Sequence, residues 1–240
     1  MTYLLLFLFA LAPSLIWLAF YLRKDSHPEP NRMVLKIFLA GMLITIPAIA
    51  IETFLEGFFV SFEFSRLGFL LIYFFVGIAL VEELLKYVVV RLGVFSNSAL
   101  DEPLDFMLYM VIAALGFAAF ENILLLFKLV QLYPASDIFL VNTVRFLQAI
   151  FLHALVSALL GYFLALSFFQ SKYRFLLFLA GISCATALHG SFNLYIFTIG
   201  DQGLLYLFLP LIPLFALAMF ISFGFQQLKK QTYATKPQPI

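Results

Sequence analysis

Seven stretches of mostly apolar residues occupy nearly the whole chain, at 3–22, 34–56, 67–90, 104–129, 142–169, 175–199 and 204–224. Each has the roughly 20 residues that an α-helix needs to cross about 30 Å of hydrocarbon. Only short polar connections separate them, clearest at 23–32, 93–103 and 170–174, where Pro and charge interrupt the apolar pattern. Composition closes the soluble alternative. Of 240 residues 64% are apolar and 11% charged, where a water-soluble domain carries about 25% charged residues. The 32 Phe alone exceed what a single water-facing core would hide. The expected fold is all-α, a polytopic membrane protein of about seven transmembrane helices. Residues 1–228 form one helical domain and 229–240 a short cytoplasmic tail.

No Lys or Arg precedes the first stretch and it continues past Pro13, so it reads as a retained span rather than a cleaved leader. Alternating the loops puts Arg23, Lys24, Arg32, Lys36, Arg91, Lys172, Arg174, Lys229, Lys230 and Lys236 on one side. Arg66, Lys128 and Arg145 fall on the other. The positive-inside rule then predicts an outside N-terminus and a cytoplasmic C-terminus in a cell membrane. A net charge of +1 gives no general attraction to polyanions, so nucleic acid is not an expected partner. The lone Cys184 is expected to be a small packed residue.

An ionisable group at bilayer depth costs about 2.5–3.5 kcal/mol on insertion scales and so marks function. The first and seventh stretches carry almost none, and Glu52 and Glu56 of the second are expected to be solvated near its outer end. The third to sixth differ. They hold Glu82, Glu83 and Lys86, then Glu121 and Asn122, then His153 and Ser157, then His189 and Asn193. Glu82/Lys86, Phe117/Glu121, His153/Ser157 and His189/Asn193 are spaced i, i+4, which places both members of each pair on one helical face. Four such faces, with Glu82, Glu121, His153 and His189 near mid-helix, are expected to meet in one polar intramembrane site. Within it Lys86 reads as the neutralising partner of Glu82, and Ser157 as bonded to its own helix backbone. Ser157/Gly161 and Ala114/Ala118 read as close-packing positions. His27, in the first loop, reads as a solvated surface residue.

Carboxylates crowded in a low-dielectric site cannot all remain ionised, which leaves a proton-holding acid beside a carboxylate base. Such a base can take a proton from water while His and Asn donors hold the oxyanion formed at a carbonyl, the parts of amide hydrolysis. Neither Gly-x-Ser-x-Gly nor His-Glu-x-x-His is present to offer another route. Two further readings stay open. Glu82, Glu121, His153 and His189 also suit a divalent ion such as zinc. A proton-coupled transporter or membrane sensor would use the same groups as a relay, although no internal repeat favours it.

Glu82-Glu83-x-x-Lys86, Phe117-Ala118-Ala119-Phe120-Glu121-Asn122, His153-Ala154-x-x-Ser157 and His189-x-x-x-Asn193, in that order on consecutive spans, closely resemble the PrsW family of glutamic-type intramembrane proteases. The Asp25-x-x-Pro28-Glu29-Pro30 loop resembles it too. The resemblance implies a bacterial endopeptidase in the lipid bilayer that cuts membrane-anchored, single-span proteins. Clipping of an anti-sigma factor is the family's characteristic role, which would place the chain in regulated proteolysis and signalling. PrsW-like proteins are in turn similar to type II CAAX prenyl endopeptidases. That likeness implies Glu82 as water-activating base, Glu83 as its partner, and His189 with Asn193 as oxyanion donors, without a cofactor. Where those relatives have Phe-x-x-x-His, this chain has Phe117-x-x-x-Glu121. Either His153 replaces the missing imidazole or Glu121 is a metal ligand. The expected catalytic set is Glu82, Glu83, Glu121, His153, His189 and Asn193, supported by Lys86, Asn122 and Ser157.

Overall fold

The computed structural model describes residues 3–25, 27–199 and 204–235. Lys236 of the charge count, Ser26 of the first loop and residues 236–240 of the expected tail lie outside the described residues. The helices are α1 (Tyr3–Leu22), α2 (Asn31–Val60), α3 (Arg66–Ile72), α4 (Val81–Gly93), α5 (Pro103–Leu129), α6 (Ala135–Leu147), α7 (Ala149–Phe169), α8 (Arg174–Ile199), α9 (Leu204–Phe208) and α10 (Leu211–Thr235). A π-helical segment, Tyr73–Leu80, joins α3 to α4, and a 3-10 turn, Ser171–Tyr173, precedes α8. Among the described residues there is no strand, and seven helical stretches are long and apolar enough to cross a membrane. This is the architecture that lipid permits, since a helix satisfies its backbone groups internally.

Prolines mark the helix starts, with Pro30 before α2, Pro134 before α6 and Pro103 in the first turn of α5, where a missing N–H costs nothing. Glu102 and Asp105 cap α5 reciprocally. At the end of α4, the Lys36 ammonium donates to the Gly93 carbonyl, a cation placed at the negative end of a helix.

Burial sorts the spans. In the most apolar stretch of α5, 72% of residues are buried, and across α6–α7 the share is 78%, whereas the other five spans show 22–28%. The α5 and α7 helices therefore form the inside, and α1, α2, α8 and α10 pack around them with Phe54, Phe175, Phe215 and Phe223 turned outward. Close approach of α2 to α5 depends on two glycines. A Cβ on Gly41 would run into the Ala113 carbonyl, and one on Gly116 into the Phe38 carbonyl. Ala114 and Ala118 are fully buried and Gly161 lies against Met107, as the small-residue spacing predicts. Cys184 departs from expectation: it is exposed, because it falls on the outer face of α8.

Two spans are not single regular helices. In the third, the wider i→i+5 turns of Tyr73–Leu80 make α4 leave rotated from a straight continuation of α3. In the fifth, Gln148 (φ −124, ψ −76) leaves the helical range and separates α6 from α7. Both breaks lie beside the polar residues described next.

Candidate active site

Glu82, Glu83 and Lys86 leave the first turns of α4 at i, i+1 and i+4, directly after the π-helical segment. Gly190, next to His189, lets α8 approach that segment, since a Cβ there would overlap the Phe75 ring. The four-helix convergence expected from the i, i+4 pairs is present, and its centre is densely bonded. Glu83 is fully buried and both its oxygens are used. Ser157 Oγ donates to Oε2 at 2.7 Å, while Lys86 Nζ at 2.8 Å and His189 Nδ1 at 3.0 Å meet at Oε1. Lys86, also fully buried, spends its three hydrogens on Glu82 Oε2 (3.0 Å), Glu83 Oε1 (2.8 Å) and His153 Nδ1 (2.8 Å). Its ammonium lies 4.5 Å from the centre of the Phe117 ring.

These partners decide the tautomers. An ammonium can only donate, so His153 Nδ1 carries a lone pair, and the neutral ring has its proton on Nε2, 2.9 Å from Glu121 Oε2. The two atoms are close but not aligned, and among the described residues the buried Glu121 Oε2 has no hydrogen bond. A carboxylate can only accept, so His189 donates from Nδ1 to Glu83. In a neutral ring its Nε2, 3.9 Å from Glu82 Oε2, is then the lone-pair nitrogen. The two imidazoles meet edge to face, 4.9 Å apart.

A cavity of about 440 Å³ opens beside this centre. Glu82, Glu121, His153, His189 and Asn193 line it, whereas Glu83, Lys86 and Ser157 stand behind the wall. Several expectations are corrected here. Ser157 bonds Glu83 rather than its own backbone, because Glu83 Oε2 is the stronger acceptor within reach. Asn122 does not line the cavity. Its Nδ2 donates to the Ala10 carbonyl and to Asn142 Oδ1, both at 2.7 Å, tying α5 to α1 and α6. Glu52, expected near solvent, lines the cavity because α2 continues to Val60, and its Oε1 has no hydrogen bond among the described residues. Arg145, counted as a loop charge, also lines it, because the fifth span begins at Ala135. A usable signal existed for both: Glu52 and Arg145 each fall inside an apolar stretch, 34–56 and 142–169, where an ionisable group has to be explained.

The first loop does other work. Tyr109 O–H donates to Glu29, and the His27 ring, half exposed, lies 3.0 Å from Glu102 of the α5 cap. Burial pushes the Glu29 and Asp25 carboxyls above the usual carboxylate range. This cluster docks the loop on the start of α5, outside the cavity.

One atom each from Glu82, Glu83, His153 and His189 lies within 4.8 Å of the others, and all four residues are buried. In kind and spacing that set fits a divalent ion. Three of the four, Glu82, Glu83 and His153, already hold the Lys86 ammonium, so an ion bound through the same atoms would compete with it.

Residues 29–223 match a family described as PrsW family intramembrane metalloprotease. Protease PrsW of Bacillus subtilis (strain 168) is 31% identical over 192 residues, covering 76% of this chain and 78% of the relative. Protease PrsW of Geobacillus kaustophilus is 31% identical over 185 residues, with 76% and 75% covered. That of Clostridioides difficile is 31% identical over 193 residues, with 78% and 77% covered. No solved structure matches. The match runs from the first loop into the last helix and takes in every helix that lines the cavity, so this bacterial membrane chain belongs to the PrsW family and is an intramembrane protease.

Proposed function

We propose that the chain is an endopeptidase in which Glu82 activates water to cut a single-span membrane protein in or near its transmembrane segment. The observation that supports this most is the division of labour in the acid pair. Glu83 has both oxygens spent, whereas Glu82 accepts one bond from Lys86 and faces the cavity. Glu82 Oε2 and the lone pair on His189 Nε2 are both acceptors, 3.9 Å apart and too distant for a direct bond. A water donating to both would be held there, one proton on its way to Glu82. Glu121, the most accessible acid of the set at 28%, stands beside His153 Nε2–H and serves the leaving amine. Asn193 donates to the carbonyl oxygen.

The substrate must bring an unwound segment, because an intact helix keeps its carbonyls in internal hydrogen bonds. An apolar cavity of about 260 Å³ shares Leu152 and Phe192 with the polar one and is otherwise walled by residues such as Leu188, Pro213 and Leu214. It suits an apolar side chain beside the scissile bond. The resemblance suggests an anti-sigma factor as substrate. The loop charges favour an outside N-terminus and a cytoplasmic tail over 229–240.

A second reading has its own support, in the four clustered donors and the family's description as a metalloprotease. Zinc held by Glu82, Glu83, His153 and His189, or by the set with Glu121 in place of Glu83, would supply a bound water of lowered pKa.

The test of the proposal is Glu82→Gln, co-expressed with a single-span reporter tagged at both ends. Normal insertion with a loss of cleavage of about 100-fold or more is expected when a general base is removed. Cleavage at the wild-type rate would take Glu82 out of the chemistry.

A further inference from the structure

We propose that Arg145 is the cation that holds the substrate's carbonyl oxygen as it becomes negative, and that Asn122 is the positioning residue that aims it. The proposal rests on the protease reading above. Arg145 lines the same cavity as Glu82, His189 and Asn193. Its Nε donates to Asn122 Oδ1 at 2.8 Å, and among the described residues no carboxylate oxygen pairs with it within 4 Å. An arginine at membrane depth is ordinarily paired. Here one N–H of the guanidinium's fixed fork is committed, and the rest serve whatever occupies the cavity.

The mount is rigid. Both hydrogens of Asn122 Nδ2 are spent, on the Ala10 carbonyl and on Asn142 Oδ1, and Asn142 in turn donates to the Phe9 carbonyl. The Asn122 amide cannot turn over without losing both bonds, so its oxygen stays on Arg145. Alternative donors on this wall are weaker. Lys86 stands behind the wall with its hydrogens used, the cavity-side nitrogen of His189 is an acceptor when the ring is neutral, Gln148 has one Nε2 hydrogen committed to the Leu207 carbonyl, and neither its other hydrogen nor Asn193 brings charge.

The step balances with the groups named. Water oxygen bonds to the carbonyl carbon, its proton passes to Glu82, and the carbonyl π pair moves onto the oxygen, which Arg145 holds. On collapse the C=O reforms, the C–N bond breaks, and the proton that Glu82 received is relayed through Glu121 to the nitrogen, which returns Glu82 to the carboxylate and leaves a carboxylic acid and an amine. The guanidinium keeps its own proton throughout. Stabilisation of this kind by one donor is commonly worth about 100-fold in rate.

The experiment uses full-length protein in nanodiscs and a single-span reporter peptide whose apolar segment contains glycine, with kcat, KM and the melting temperature measured together. Arg145→Lys, which keeps charge but loses the fork, is expected to lower kcat about 100-fold with KM and melting temperature little changed. In Arg145→Ala, added guanidinium ion is expected to restore part of kcat, which a purely structural role would not allow. Asn122→Leu should lower kcat by a smaller factor. Wild-type kcat in Arg145→Lys would overturn the proposal, as would losses that track the melting temperature and ignore guanidinium. A fully active Glu82→Gln would instead overturn the protease site itself. An inert Glu82→Gln beside a fully active Arg145→Lys would remove the arginine alone.

Discussion

Two neighbouring polar regions of this molecule are built on opposite principles. The knot of Glu83, Lys86, Ser157 and His189 is sealed, every charged atom matched by a partner at 2.7–3.0 Å. The cavity wall a few ångströms away is left incomplete: among the described residues Glu52 Oε1 and Glu121 Oε2 have no hydrogen bond and Arg145 has no ion pair. Buried charge is tolerated when paired and becomes a liability when one partner goes. An unpaired buried oxygen, by contrast, costs about 1–3 kcal/mol, and a fold carries that cost where a ligand or reacting group supplies the missing partner. In the proposed mechanism the knot holds the site in place and the wall is the side that receives the substrate.

Adjacent residues should differ most. Glu83→Ala should cost about 3–5 kcal/mol of stability, because it strips the buried Lys86 of its shortest carboxylate partner. The melting temperature in detergent should fall sharply, where that of Glu82→Gln barely moves while cleavage is lost. Equal melting temperatures for the two variants would erase the distinction. Lys86→Met should be as damaging as Glu83→Ala, yet adding Glu83→Gln to it should recover stability, since the pair is then removed together. A double variant no better than the worse single one would show that the knot is not an ion pair in effect. Ser157→Ala should cost about 1.5–3 kcal/mol, the loss of one hydrogen bond to a carboxylate, with little change in KM.

The smallest effect belongs to the first loop. Burial raises the folded-state pKa of Glu29, so the folded chain holds that proton more tightly than the unfolded one. The stability this contributes is complete below the ordinary value of 4.5 and is lost as pH rises through the raised one. Glu29→Gln should flatten the fall in melting temperature over that window, with Asp25 leaving a residual slope. An unchanged pH profile would contradict the assignment.

The spans were readable in the sequence because lipid leaves the backbone one solution, and apolar length shows it directly. The meeting of the polar residues at one place was readable for a related reason. Glu82, Glu121, His153 and His189 had to be explained at depth, and i, i+4 spacing gave their faces. What escaped the pattern depended on tertiary geometry. Tyr73–Leu80 reads as an ordinary apolar helix, so its π turns were invisible. Glu52 and Arg145 sat near stretch ends, where a shift in helix boundary moves a charge from solvent into the cavity. Ser157 could bond its backbone or a carboxylate, and only the approach of α4 to α7 decides that.

If the cation organising this site is Lys86, catalysis proceeds through Glu82 and water. Metal content and cleavage rate, measured together on purified protein before and after chelation, test it most directly. The account predicts a cleavage rate that persists with metal far below one equivalent per chain. Stoichiometric zinc, whose removal abolishes cleavage and whose return restores it, would contradict it.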